Sequence, residues 1–419
     1  MILVAFILPA FLANLFVYYF ATRILSAQNF GIFYVANTLS NVLFSGSTLL
    51  HITYTRHLVQ VGQEHDHSSV IATMYKIQRS IAIWGTLISL ILFISLLGIG
   101  QSIGVKSTLL VFLIIIDTYI SYLADLGRVY LQSVQRVFYL GGYTLLWMVL
   151  RFILCIIGMS VFGTVWATLM GSIIAAVIIF VSFQIALKNE KKCTLKIIPK
   201  LPSLKTLGYV FLGYGFLTII SNLDIFLAHL TLNGTNIGIY SSSSVFPKGI
   251  LVVLNPLIQM LLGIMIVGNI SKENFLKIVK KSFGVVFVLT STGVLTVWLL
   301  IPWICGGRWG LHLCDSHSVH ILLLSVIPLS LLRISVILDF VHQRDHLPIW
   351  LAVPVLIFIM TVWMTKPSVS ILADQFAIFS LATFLFFIII QRINASLTSR
   401  RSIEPTNSVQ EQREIFDEK

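Results

Sequence analysis

Residues 29–34 read Asn-Phe-Gly-Ile-Phe-Tyr, and residues 236–240 read Asn-Ile-Gly-Ile-Tyr. The two glycines, Gly31 and Gly238, are 207 residues apart, about half of the chain. Each motif opens a predicted helix on which polar residues recur along one face. The repeat therefore predicts two related halves with matching polar stripes. The stripes consist of Tyr34, Asn37 and Asn41 in the first half, and of Ser241, Ser244, Lys248 and Asn255 in the second.

Long apolar runs surround these motifs. Hydrophobic residues make up 57% of the chain, charged residues only 11%, and the mean hydropathy is +0.94. A soluble domain carries about a quarter charged residues, and a helix needs roughly 20 apolar residues to cross a bilayer. We predict an all-α, polytopic membrane protein of about 12 transmembrane helices in two pseudo-symmetric six-helix bundles. The predicted spans are 1–22, 31–53, 81–100, 108–124, 138–159, 165–186, 207–229, 237–267, 282–301, 318–340, 349–365 and 368–390.

The basic residues lie mostly in alternate connectors between the spans. Of the 28 Lys and Arg residues, 21 fall in the even-numbered loops and the C-terminal tail, and 4 in the odd-numbered loops. Because basic loops stay in the cytoplasm during insertion, both termini are expected to be cytoplasmic. We therefore attribute the net charge of +12 to the membrane topology of the chain, and we expect no nucleic-acid partner. Met1 opens directly into an apolar run, so we expect no cleavable signal peptide.

A basic connector at mid-chain separates the predicted halves. It carries six lysines between residues 187 and 206. We predict an N-terminal bundle over 1–186, a cytoplasmic linker over 187–206 and a C-terminal bundle over 207–390. The polar residues 391–419 have mixed charge, which indicates a disordered cytoplasmic tail.

Polar stripes inside a membrane must face protein or water, because lipid cannot satisfy them. Two interpretations remain open: helix–helix contacts, or a shared aqueous cavity between the halves. The length of both stripes and the lysine in one of them favour the cavity. If the halves insert with the same orientation, their symmetry axis runs along the membrane normal.

Four cations are candidates to bind substrate in such a cavity, since an arginine at a helix centre costs about 2.5–3.5 kcal/mol to insert. Each also has a structural alternative. Arg151 is either a ligand or the partner of Asp117 or Asp125. Lys248 is either a phosphate ligand or snorkels to the interface, Arg333 either binds substrate or makes an intrahelical polar contact, and Arg23 either binds substrate or anchors the helix end.

Two carboxylates are candidates for ion coupling. Asp224 in the seventh span, and more weakly Asp374 in the twelfth, are suited to bind H⁺ or Na⁺, but either is also suited to neutralise an arginine. No other cofactor is expected. Cys305 and Cys314 share an outward loop, where free thiols are favoured over a disulfide and over a metal site. The histidines at 51, 57, 65 and 67 are interpreted as a solvated loop face.

Several motifs together resemble a known family. The run Arg23-Ile-Leu-Ser-Ala-Gln-Asn-Phe-Gly-Ile-Phe-Tyr34 is similar to the signature of polysaccharide flippases, in which Arg-x-Leu is followed closely by Phe-Gly-x-Tyr. Asp224, Gly238-Ile-Tyr240 and Pro256 echo it in the second half, and Leu131-Gln-Ser-Val-Gln-Arg136 precedes the fifth span. These flippases belong to the multidrug/oligosaccharidyl-lipid/polysaccharide exporter superfamily.

The resemblance implies a V-shaped pair of bundles that work by alternating access in a bacterial inner membrane. It implies a substrate of isoprenoid pyrophosphate carrying an oligosaccharide repeat unit, moved to the periplasmic leaflet for O-antigen, capsule or a related glycan. A polysaccharide polymerase and a chain-length regulator are then candidate partners, besides the substrate and the bilayer. The alternative is a drug or metabolite exporter of the same fold. No nucleotide-binding loop or nucleophile constellation is present, so no enzyme activity is expected.

Overall fold

A computed structural model describes residues 2–44, 46–64, 67–99, 107–189, 215–267, 272–306, 314–341 and 347–401. The described residues are almost entirely helical. The helices are α1 Ile2–Ile24, α2 Ala27–Phe44, α3 Gly46–Glu64, α4 His67–Ile99, α5 Thr108–Ser133, α6 Val137–Phe162, α7 Val165–Asn189, α8 Leu223–Thr231, α9 Gly234–Val267, α10 Lys272–Gly306, α11 Ser316–Val341, α12 Ala352–Thr365 and α13 Val369–Arg401. Residues 215–220 are also helical, and a 3₁₀ turn covers Leu347–Leu351.

The helices form two bundles that meet along one seam. In the N-terminal half, α6 packs on α1 and α7, and α5 packs on α2, α3, α4 and α7. In the C-terminal half, α11 packs on α9, α10 and α13. Helices α2 and α9, which carry the two stripes, contact each other across the seam, and α1 also reaches α9. The predicted all-helical, two-bundle architecture is thus confirmed.

The apolar residues divide between the bundle interiors and the outer surface. Helix α11 is mostly buried, with Leu323, Leu329 and Val336 fully covered. Helix α4 instead exposes large side chains such as Leu90 and Ile94. Within the described residues, eight helical stretches are long and apolar enough to cross a membrane. Exposed apolar surface on this scale is stable only in lipid, as composition predicted.

The repeated glycine motif is the place where the two halves come closest. A Cβ added to Gly238 would lie 2.4 Å from the carbonyl oxygen of Ala27, and one added to Gly31 would lie 2.8 Å from Cγ2 of Ile237. His229 contacts the carbonyl oxygen of Gly31 at 3.4 Å. The absence of side chains at these two positions lets the backbones of α2 and α9 cross in contact.

Three predicted segments differ from the structure. The second span was predicted to end at residue 53, whereas α3 continues to Glu64. The seventh span is interrupted by a turn at Ser221 and Asn222, where the Asn222 side chain donates to the carbonyl oxygen of Thr218 at 2.9 Å. Helix α13 continues to Arg401, so residues 391–401 are helical where disorder was expected. Most of the predicted linker, 190–206, and residues 402–419 lie outside the described residues.

Candidate functional site

A cavity of about 250 Å³ lies between the two halves. Helices α1, α2, α3, α5 and α6 line it from one side, and residues 215–222, α9 and α11 line it from the other. The stripe residues Tyr34, Asn41 and Lys248 all contribute to its wall, and Asn41 is solvent-exposed there. The polar faces of α2 and α9 therefore meet around a space rather than only in dry contact.

Four cationic side chains line the cavity. They are Arg128, Arg151, Lys248 and Arg333. Asp117 is the carboxylate among the described lining residues. Three of the four cations were candidates from the sequence, so the fold brings them to one place although they come from spans far apart in the chain. Arg128 was counted as a connector residue, because α5 was expected to end before it.

Lys248 is held by an ion pair in the C-terminal half. Its Nζ lies 2.6 Å from Oδ1 of Asp224 and also donates to the carbonyl oxygen of Ser221 at 3.0 Å. Asp224 is fully buried, and its Oδ2 accepts a hydrogen bond of 3.0 Å from the Tyr240 hydroxyl. Lys248 thus faces the cavity while its counter-ion lies behind the wall. It does not snorkel to an interface.

Arg151 uses a neutral partner in the N-terminal half. Its Nη2 donates to Oδ1 of Asn37 at 2.6 Å, and the Asn37 amide in turn donates to the Tyr18 hydroxyl. Asp117, one alternative partner, accepts a hydrogen bond of 2.6 Å from Ser40. Asp125, the other alternative, pairs with Arg128 at 3.0 Å. The asparagine of the polar stripe therefore orients the arginine of another helix.

The two remaining cation candidates have different outcomes. Arg333 is 8% exposed and donates to the carbonyl oxygen of Leu251 at 3.1 Å, which joins α11 to α9. Arg23, for which the sequence left open a substrate ligand or a helix-end anchor, is exposed at the end of α1 and outside the described cavity wall. Its guanidinium lies 5.4 Å from the centre of the Tyr19 ring. A substrate-binding role for Arg23 stays a prediction.

The stripe residues do not all reach the main cavity. Asn37 and Ser241 are buried outside its wall, and Ser244 lines a much smaller space of about 10 Å³ beside Lys248. Tight crossing of α2 and α9 covers these positions. The side chain of Asn255 lies outside the described residues.

Asp374 does not share the environment of Asp224. Its carboxylate is 47% exposed and lies 3.7 Å from His317, a residue that is itself 57% exposed. It is absent from the described wall of the cavity. The ion-coupling role of Asp374 stays a prediction, and its described partner, His317, lies in the first turn of α11.

Two of the four cysteines form a disulfide. Cys305 is bonded to Cys314, so the expectation of free thiols is wrong, whereas Cys155 is a buried free thiol. Asp315 beside the bridge caps α11 through the backbone of Ser318 at 3.1 Å, and its own backbone N–H donates to Ser243 at 2.9 Å. The bridged loop is thereby tied to α9. No group of three metal-ligating side chains occurs among the described residues.

Comparison with known proteins identifies the fold. A MATE transporter in complex with MaL6 aligns with a TM-score of 0.65 at 14% identity, covering 95% of this chain and 97% of that one. The outward-facing conformation of a multidrug resistance MATE family transporter of the MOP superfamily gives 0.65 at 14% identity, covering 95% and 96%. The chain has the MATE fold.

A third solved structure widens the comparison. A MOP superfamily transporter from Pyrococcus furiosus, described as having a binding pocket of reverse polarity that suggests a different function, aligns with a TM-score of 0.61 at 14% identity, covering 94% of this chain and 95% of that one. No protein-family model matches the chain, and no curated protein sequence is significantly similar to it. These findings show the fold alone, and they do not single out the polysaccharide flippases that the sequence motifs resemble.

Proposed function

We propose that the chain is a membrane transporter that exports small anionic or phosphate-bearing solutes by alternating access. The observation that carries this proposal is the cavity between the halves, whose wall holds four cationic side chains. Binding between two bundles that rock against each other is the geometry that alternating access requires. The multidrug resistance transporter among the structural neighbours supports an exporter of this fold.

The sign of the cavity charge argues for an anion. The carboxylates of Asp224 and Asp125 are 0% and 4% exposed and lie outside the cavity wall, whereas their cationic partners line it. Among the described lining residues, Arg128, Arg151, Lys248 and Arg333 outnumber the one carboxylate, Asp117, so a solute meets a wall of net positive charge. Positive groups with low-dielectric walls concentrate anions, and guanidinium forks suit carboxylates and phosphates. The Pyrococcus furiosus neighbour is described as having a binding pocket of reverse polarity. This description supports a difference in pocket polarity among proteins with this fold.

A flippase for lipid-linked oligosaccharides is the second candidate. The combination of phosphate-binding cations with Trp147, an aromatic residue on the cavity wall, favours it. The volume weighs against it, because about 250 Å³ is below the roughly 300–1,000 Å³ of typical drug-sized sites. An oligosaccharide repeat unit would require a much wider state. The polymerase and chain-length regulator belong to this second candidate alone.

Asp224 is the residue that we propose for ion coupling, with H⁺ or Na⁺ as the ion. It is a fully buried carboxylate whose partner, Lys248, lies on the cavity wall. A bound anion would compete with Asp224 for that ammonium group, and a carboxylate that loses its counter-ion in a buried site gains affinity for a proton or cation.

The decisive experiment compares substrates and cavity variants in one host. The protein is expressed in a bacterial strain without its main drug exporters, and growth is measured against a matched panel of anionic and cationic compounds. We expect resistance to anionic compounds, lost in Arg151→Gln and kept in Lys188→Ala, an exposed residue near the end of α7. Resistance confined to cations would contradict the proposal. Deletion that leaves drug resistance unchanged but accumulates lipid-linked repeat units would favour the flippase.

A further inference from the structure

A buried cluster of titratable side chains lies next to the cavity in the N-terminal half. His51 on α3 is 2% exposed, so its assignment to a solvated loop face is wrong. Its Nδ1 lies 3.8 Å from Oδ2 of Asp125 on α5, and its Nε2 is hydrogen-bonded to Oε1 of Gln132. The other oxygen of Asp125 lies 3.0 Å from Nη1 of Arg128. Asp125 thus stands between a histidine and a cavity-lining arginine.

The geometry around His51 is unusual for a neutral imidazole. A neutral ring has one N–H donor, and only its protonated form has two. Here both ring nitrogens face oxygen acceptors. With Nε2 donating to Gln132, a neutral ring directs the lone pair of Nδ1 toward the Asp125 carboxylate, and Nδ1 has no hydrogen-bond partner in this arrangement. Each ring nitrogen thus has an oxygen atom beside it, which is the arrangement that two N–H donors would use.

Other ionisable groups lie on the helices that pack around His51 and Asp125. On α9, no ionisable residue follows Lys248 before Val267. On α6, the Tyr143 hydroxyl donates to the carbonyl oxygen of Ala124 at 2.5 Å. On α4, His67 contacts Tyr130 at 3.3 Å. The remaining ionisable groups of the packed elements are Tyr34 on α2, Tyr54, Arg56, His57 and Glu64 on α3, Tyr75, Lys76 and Arg79 on α4, Asp117, Tyr119 and Tyr122 on α5, Tyr139, Arg151 and Cys155 on α6, Lys188 on α7, and Tyr240 and Lys248 on α9.

We infer that His51 is a proton-binding site that controls how strongly Arg128 attracts an anion in the cavity. The inference rests on the proposed anion-accepting cavity. A proton from solvent binds Nδ1, forming an N–H that faces Asp125, and no covalent bond breaks. The carboxylate then shares its charge between the imidazolium and the guanidinium, because a charge-assisted contact forms on the histidine side. Arg128 is held less firmly, and the cavity gains positive potential.

The test uses the full-length protein in detergent and methanedisulfonate as the probe. Its sulfonates keep their charge across the histidine range, so any pH dependence belongs to the protein. Calorimetric affinity is measured at about pH 5.5 and about pH 8, which bracket ordinary histidine titration. We expect wild type to bind about tenfold more tightly at the lower pH, the equivalent of roughly 1.4 kcal/mol.

Three variants separate the proton site from a structural role. His51→Asn and His51→Gln should bind as wild type does at the higher pH and lose the tightening at the lower one. Asp125→Asn removes the carboxylate that pairs with Arg128, so this variant should bind methanedisulfonate tightly at both pH values. His57→Asn on the same helix, half-buried and outside the cluster, is the matched control and should keep the wild-type pH dependence.

The outcomes distinguish the inference from the proposed function. Binding that tightens at low pH in both folded His51 variants, as judged by unchanged thermal unfolding, overturns the proton site and leaves the anion cavity standing. Wild-type binding that is equal at both pH values overturns the proton site in the same way. If wild type binds no methanedisulfonate at the lower pH and none at the higher pH, the result contradicts the anion cavity and, with it, the proton site.

Discussion

Each half of the molecule presents a cation to the cavity, but the two cations are held by different chemical groups. In the N-terminal half, the cavity-facing Arg151 is bonded to the neutral amide of Asn37. In the C-terminal half, the cavity-facing Lys248 is bonded to the carboxylate of Asp224. The shift of 207 residues that relates the stripes pairs Lys248 with Asn41, and Ser244 with Asn37. In the N-terminal half the stripe thus supplies the acceptor Asn37, whereas in the C-terminal half it supplies the cation Lys248.

The difference assigns separate tasks to the two cations. An amide partner orients Arg151 without an ion pair, and the nearest charge of opposite sign in the described wall is the carboxylate of Asp117. A carboxylate partner neutralises Lys248 until another anion competes for it. We therefore interpret the N-terminal half as the source of steady attraction for the solute, and the C-terminal half as the part that responds to it.

The largest effect should follow from breaking the C-terminal pair. Lys248→Ala leaves Asp224, which is fully buried, without its counter-ion, and should lower the free energy of unfolding by about 3–5 kcal/mol. Thermal unfolding in detergent measures this. The double variant Lys248→Met, Asp224→Leu should recover most of the loss, because it removes both charges. A double variant as unstable as the single one would contradict the pairing.

An intermediate effect should follow from making the N-terminal half resemble the C-terminal one. Asn37→Asp gives Arg151 a carboxylate partner and should weaken methanedisulfonate binding by about tenfold, or roughly 1.4 kcal/mol, since the cavity loses net positive charge. Asn37→Leu is the control that removes the acceptor without adding charge. Binding in Asn37→Asp that equals wild type would show that Arg151 does not set the cavity potential.

A third prediction concerns the crossing of α2 and α9, where the change to the side chain is the smallest, a single methyl group. A Cβ at Gly238 meets the backbone of Ala27, whereas one at Gly31 meets the side chain of Ile237, which can move. Gly238→Ala should therefore destabilise by about 1–3 kcal/mol, and Gly31→Ala by less. Gly142→Ala, where a Cβ meets nothing within 4 Å, is the control. A larger loss of thermal stability in Gly31→Ala than in Gly238→Ala would contradict the described crossing of α2 and α9.

Local pattern was enough to predict the helical bundles and part of the site. The apolar runs predicted the spans, and insertion cost identified Arg151, Lys248 and Arg333 as residues that need a polar environment. The site residues that sequence missed are Arg128, Asp125 and His51. A signal was present, since Arg128 and Asp125 are three residues apart on one helical face, but a shorter α5 had been assumed. Nothing in sequence links His51 to them, because they are brought together only by packing of α3 on α5.

Sequence by itself determined that this chain is a helical membrane protein with two related halves, because both conclusions depend on periodicity and composition, which are local. Only the tertiary structure decided which charges pair. Whether Arg151 takes Asn37 or Asp117, and whether Arg23 faces the cavity or the exterior, depends on the rotation and crossing of helices distant in the chain. In a low-dielectric interior a partner must lie within a few ångströms, and that distance is a property of packing.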